Sequence, residues 1–146
     1  MSPDSRGPAA EFIVLVVDDD VDARRIYSEY LRSKGWTVIT AADGRRGLDK
    51  ANELKPDVIV LDLAMPRVDG WTVLKHLRGS SWTETIPVIV VSAVTSARDE
   101  ALQLGCDAFL SKPCPPEVVW LQIRALFRVG QMRHAFDWHG PGQTGV

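Results

Sequence analysis

Short apolar runs alternate with amphipathic stretches along most of the chain. FIVLVV at 12–17, WTVIT at 36–40, VIVL at 58–61, PVIVV at 87–91 and AFL at 108–110 are rich in β-branched or aromatic residues and bounded by polar or turn residues. They predict five strands. The first, third and fourth runs lack apolar/polar alternation, so both faces of those strands are covered, as in a parallel sheet with helices on each side. Between them the period changes to that of a helix. In 21–34, Ile26 pairs with Tyr30 and Tyr27 with Leu31 at i, i+4, and Gly35 stops the pattern. Further helices are predicted over 44–54, 71–77, 97–104 (closed by Gly105) and 116–128. The last carries the stripe Val119, Ile123, Leu126 and Phe127 behind Pro115 and Pro116, which suit a helix start. Five βα units with short connections predict an α/β fold, a doubly wound open parallel sheet with right-handed crossovers.

The ends break the pattern. Residues 1–11 and 129–146 are rich in Gly, Pro and polar residues without a period, and are expected to be a disordered N-terminal tail and a C-terminal tail or linker flanking one domain at 12–128. A length of 146 residues with 45% hydrophobic and 25% charged suits a single domain with a core of its own. The net charge of −2 and pI near 5.9 provide no basic surplus, so direct nucleic-acid binding is not expected. No apolar run approaches the roughly 20 residues needed to span a bilayer, and MSPDSRGPAAE lacks the regions of a signal peptide, so a cytoplasmic protein without membrane contact is expected. Cys106 and Cys114 form no CxxC pair and have no histidines at metal-ligand spacing; they read as small structural thiols.

Polar residues gather at the carboxyl ends of the predicted strands. Strand one ends in Asp18, Asp19 and Asp20, strand three in Asp62, strand four in Ser92, and strand five is followed by Lys112 and Pro113. In an open α/β sheet, ligands bind in the crevice outside these ends. Carboxylates about 5 Å apart repel by roughly 3 kcal/mol per pair at an effective dielectric near 20, so a cluster of them calls for a cation. Magnesium fits, because it takes carboxylate oxygens and keeps positions for water and a phosphate oxygen. Ser92 and Lys112 would complete a phosphoryl site with a hydroxyl donor and an ammonium.

VLVVDDD, VLDLAMPRVDG, VIVVSA and FLSKP, in this order, resemble the four signature segments of the response-regulator receiver domain of two-component signalling. The resemblance spans about 12–128. It implies a flavodoxin-like (βα)5 sandwich with strand order 2-1-3-4-5, and a phosphorylation-activated switch rather than an enzyme acting on an external substrate. Asp62 is then the phosphoacceptor, served by a histidine kinase or histidine phosphotransfer protein. Asp18, Asp19, Asp62 and the backbone carbonyl of Ala64 would hold Mg2+, with Asp19 the direct ligand of the acidic pair and Asp18 acting through water. Ser92 matches the hydroxyl residue that follows the phosphoryl group, Lys112 the signature lysine, and Phe109 the aromatic switch position. The Lys112-Pro113 bond would be cis. The output would be a change in the surface of helix four, strand five and helix five that controls a downstream protein, the chain itself being a monomer or weak dimer.

Other polar and aromatic residues have plainer readings. Asp20 and Asp22 suit the first turn of the first helix, Asp69 with Gly70 suits a turn, Phe109 could be simple core, and His76, His134 and His139 suit the surface. Trp36, Trp71 and Trp120 fit element patterns, whereas Trp82 and Trp138 fall in loops. A haloacid-dehalogenase-like phosphatase would need DxDx[TV] after strand one. The chain has Asp18-Asp19-Asp20-Val21-Asp22 there. A receiver-like module that never takes phosphate would lack an acidic, hydroxyl or lysine residue, and none is missing. Two positions depart from a water-positioning site. Ala64 and Val94, each two residues past a site residue, cannot hydrogen-bond a hydrolytic water.

Overall fold

Alternate residues of each strand are shared out between two separate cores. In the computed structural model, which describes residues 12–133, the strands are β1 (Ile13–Val17), β2 (Thr37–Ala41), β3 (Val58–Leu61), β4 (Val88–Ser92) and β5 (Ala108–Ser111). The helices are α1 (Val21–Ser33), α2 (Gly44–Leu54), α3 (Gly70–Arg78), α4 (Arg98–Gln103) and α5 (Pro116–Arg133). Leu15, Val17, Ile59, Leu61, Val88, Val90 and Phe109 pack on one side with Leu74 and Leu77 of α3 and Ala101 of α4. Val14, Val16, Val58, Val60, Ile89 and Val91 pack on the other with Leu31 of α1 and Ile123 of α5. Apolar residues at every position of β1 and β3 and at the first four of β4 are therefore required by two covered faces, not by one.

All strand pairs are parallel, in the order β2-β1-β3-β4-β5. The expected doubly wound sheet of order 2-1-3-4-5 is what forms. Helix starts follow carboxylate chemistry. Asp20, Asp43 and Asp69 are the N-caps of α1, α2 and α3, and accept hydrogen bonds from the backbone N–H of Asp22, Arg46 and Thr72. Asp69 is thus a helix cap rather than only a turn residue, and α3 starts at Gly70.

Two helices differ from expectation. The stretch read as one helix over 97–104 begins as a 3-10 turn at Thr95–Ala97, and α4 proper is limited to Arg98–Gln103. Neither Val94 nor Ala97 provides a side-chain cap, so the first turn tightens. Helix α5 continues to Arg133 instead of ending at 128; a single glycine, Gly130, costs about 1 kcal/mol in a helix but does not forbid it. The tails expected at 1–11 and beyond 133, with His134, Trp138 and His139, lie outside the described residues. Among the described residues, no helix is long and apolar enough to cross a membrane.

Candidate functional site

The site is built from residues standing one step beyond their strands and fixed there by the neighbouring strand. The N–H of Asp18 donates to the carbonyl of Ala41 at 3.1 Å, that of Asp62 to Val17 at 3.0 Å, and that of Lys112 to Ser92 at 2.9 Å. Each bond prolongs the ladder by one position, so three side chains meet because three strands end together. Carboxylate oxygens of Asp18, Asp19 and Asp62 all lie within 4.8 Å of one another. Asp18 and Asp62 are buried and Asp19 is exposed. One carboxylate therefore opens to solvent while two are held below it.

Hydrogen bonds aim the buried pair. Oδ1 of Asp18 accepts from the N–H of Asp20 at 2.9 Å and Oδ1 of Asp62 from the N–H of Ala64 at 3.2 Å. Their second oxygens turn toward Lys112, whose Nζ is 3.2 Å from Asp18 and 3.6 Å from Asp62. One ammonium cannot neutralise three carboxylates. Burial, and next the charge of Asp18, push the Asp62 carboxyl up from 3.8 to about 6, although Lys112 pulls the other way. For Lys112, burial alone would lower the ammonium's pKa; Asp18 and Asp62 outweigh it and hold the pKa above its ordinary value. This donor set, all oxygen with a charge deficit at its centre, fits a hard divalent cation.

The remaining expected residues surround this cluster. Ser92 is fully buried, and its Oγ accepts from the N–H of Val94 at 3.0 Å. Phe109 is also buried, packed in the core on the α3/α4 side of the sheet. Its ring therefore occupies the interior in this structure. The carbonyl of Phe109 accepts from Nη1 of Arg98 on α4 at 3.3 Å. Lys112-Pro113 is cis. Ala64 and Val94 are both exposed at the rim. Asp20 and Asp22 remain outside the three-carboxylate cluster.

Some contacts had no local signal. Nη1 of Arg24 donates to the carbonyl of Asp18 at 2.7 Å, and the hydroxyl of Tyr27 donates to the carbonyl of Cys114 at 2.9 Å. Gly70 lies so close to β3 that a Cβ would run into the backbone of Asp62 and Leu63. The spacing of Gly70 from Asp62 was visible, but the approach was not. Trp82 lies over α2 with its Nε1 donating to Asn52, far from the strand ends. Cys106 and Cys114 are free thiols.

Residues 14–124 match the family model described as the response regulator receiver domain. The chain belongs to this family. Among curated proteins, this receiver is 38% identical over 117 residues to the DNA-binding dual master transcriptional regulator RpaA of Synechocystis, and 37% identical over 117 residues to the alkaline phosphatase synthesis transcriptional regulatory protein PhoP of Bacillus subtilis. Each match covers 79% of this chain and 48% of the relative. The chain thus spans about half the length of these curated relatives. Among solved structures, the chemotaxis response regulator CheY4 of Vibrio cholerae matches with a TM-score of 0.75 at 33% identity, over 80% of this chain and 99% of that one. The receiver domain of Francisella response regulator 1452 also has a TM-score of 0.75, at 32% identity, over 82% of this chain and 98% of that one.

Proposed function

We propose that residues 12–128 act as a phosphorylation-controlled switch in which Asp62 takes a phosphoryl group from a histidine kinase or histidine phosphotransfer protein. The observation that carries this reading is Lys112 held between the two buried carboxylates Asp18 and Asp62. In the transfer, the bond from phosphorus to the donor's histidine nitrogen breaks, a bond from an Asp62 carboxylate oxygen to phosphorus forms, and the nitrogen keeps the bonding electron pair. Lys112 faces the oxygens that gain charge, and the Ser92 hydroxyl can donate to one of them. Asp18, Asp19, Asp62 and the Ala64 carbonyl would hold Mg2+. When bound, the ion neutralises charge on the phosphoryl oxygens.

The protein acts on its own carboxylate and turns over no separate substrate. Its output is a partner protein read through α4, β5 and α5. The name of the Synechocystis relative RpaA attributes DNA binding to that protein; for this receiver we propose protein contacts, a monomeric or weakly dimeric state and a cytoplasmic setting. The test is incubation with acetyl phosphate and magnesium, followed by intact mass. One added phosphoryl group, stable in acid and removed by hydroxylamine, is expected for wild type and not for Asp62→Asn. An added phosphate on Asp62→Asn would overturn the assignment of Asp62.

A further inference from the structure

Three clefts adjoin along the edge of the sheet formed by β2, between α1 and α2. The largest, about 510 Å3, is lined by Arg24, Thr40, Arg46 and Lys50 among others. It shares Arg24 and Thr40 with a cleft along α1 that Arg25 and Arg32 also line. It shares Arg46 with another, at the N-terminal end of α2 and the loop after β3, that Arg45 and Arg67 line. Seven basic side chains thus line one groove against four acidic ones, Glu29, Asp43, Asp49 and Glu53. The groove is positive by three in a chain whose net charge is −2.

Two of the guanidinium groups are held in place before any ligand arrives. Arg24 donates Nη1 to the carbonyl of Asp18 at 2.7 Å, and Arg32 donates Nη2 to the carbonyl of Val38 at 3.1 Å. A guanidinium has five N–H donors, so each keeps others for an incoming acceptor. Side chains fixed in this way lose less freedom on binding. The ion pairs within the groove compete poorly. Arg45 is 3.7 Å from Asp49 and Arg46 is 3.8 Å from Asp43, with the arginine side chains 77% and 70% exposed.

Two further features run against local preference. The first turn of α2 carries Arg45 and Arg46 and no acid, the reverse of what the positive end of a helix dipole favours. Arg67 sits at φ 63°, in the left-handed region that an L side chain enters at a cost. No salt bridge engages it among the described residues. An anion at this end of the groove would meet three guanidinium groups, those of Arg45, Arg46 and Arg67, beside the Asp43 carboxylate that caps the helix.

We propose that this groove docks an extended acidic segment of a partner protein. Interspersed acids favour separated carboxylates over the unbroken charge of a nucleic-acid backbone. No aromatic side chain lines the groove to stack on a base. The site lies along α1, β2 and α2, away from the α4, β5 and α5 surface proposed for output, and does not depend on phosphorylation of Asp62.

The test uses the full chain, 15N-labelled, titrated with an acetylated ten-residue peptide of alternating Glu and Ser. Amide shifts concentrated in 21–32, 40–53 and 67–68 are expected, with affinity at least fivefold weaker in the triple variant Arg24→Gln, Arg46→Gln, Arg67→Gln. A control triple variant, Lys75→Gln, Arg98→Gln, Arg124→Gln, removes the same charge elsewhere and should stay within twofold of wild type. Equal weakening in both variants, or shifts spread over the surface, would overturn the proposal. So would tighter binding of a single-stranded oligonucleotide of equal charge, which would assign the groove to nucleic acid. Circular dichroism of both variants separates lost binding from lost folding.

Discussion

The ammonium of Lys112 lies 0.4 Å nearer to Asp18, at 3.2 Å, than to Asp62, at 3.6 Å. This ammonium therefore compensates Asp62 less closely than Asp18, while burial, and next the charge of Asp18, raise the Asp62 carboxyl to about 6. Because Lys112 lowers that pKa, Lys112→Gln should drive it above 6. A carbon-13 titration of the Asp62 carboxyl would measure the shift, and an unchanged or lower midpoint would contradict the geometry.

The raised pKa of Asp62 also sets the sign of a stability change. With its folded pKa above the ordinary 3.8, Asp62 favours the folded state while protonated, so its contribution is complete below about pH 4 and is lost as pH rises through about 6. Metal-free wild type should lose on the order of 3 kcal/mol across this window relative to Asp62→Asn. At pH 7.5 in chelator the variant should melt higher, by roughly 10 °C. Magnesium should recover the difference for wild type by an amount following RT ln(1 + [L]/Kd), and should do so less at pH 5. Equal melting of both proteins in chelator at pH 7.5 would count against an uncompensated carboxylate.

Gly70 makes a different demand. Its missing Cβ leaves room for the backbone of Asp62, so Gly70→Ala should displace the segment that carries Asp62. Overpacking of this kind costs typically 1–3 kcal/mol. Chemical denaturation should register that loss, and acetyl phosphate labelling should slow even where the protein remains folded. A substitution that left both unchanged would mean that the segment can yield without moving Asp62.

On the proposed function, output would run through a bond made by Ser92. The ring of Phe109 is already buried, whereas the Oγ of Ser92 accepts from Val94 N–H at 3.0 Å just ahead of the 3-10 turn and α4. Rotation of the Ser92 side chain toward a phosphoryl oxygen would carry its Oγ away from this N–H and loosen the start of α4. Beryllofluoride should accelerate amide exchange at Val94 and alter it over 94–104 and 108–128. Identical exchange with and without it would remove the link between Asp62 and this surface.

Lifetime of the acyl phosphate rests on Ala64 and Val94, both exposed at the site's rim. Neither can hold a water in line with the phosphorus–oxygen bond, so no positioning entropy is supplied in advance. Wild type should lose its phosphoryl group several-fold more slowly than an Ala64→Asn, Val94→Glu double variant once donor is removed. Intact mass over time measures both, and equal or faster decay of wild type would reject the argument.

Period and punctuation along the chain determined the five βα units, because a strand covered on both faces must be apolar at consecutive positions, as β1, β3 and β4 are. The same logic exposed Asp18, Asp62 and Ser92, since a polar residue directly after such a run can only stand at the sheet's end, and Lys112 follows one residue beyond the AFL run. Helix boundaries were less legible. The tight turn at Thr95–Ala97 and the extension of α5 to Arg133 depend on caps and continuation costs of about 1 kcal/mol, too small to stand out in a one-dimensional pattern. Contacts between residues distant in sequence were decided by the tertiary structure alone. Lys112 meets Asp18 across 94 positions, and Tyr27 meets the Cys114 carbonyl across 87. No local rule predicts these meetings, because they follow from the register of parallel strands and the packing of helices on them, which exist only once the whole sheet has formed.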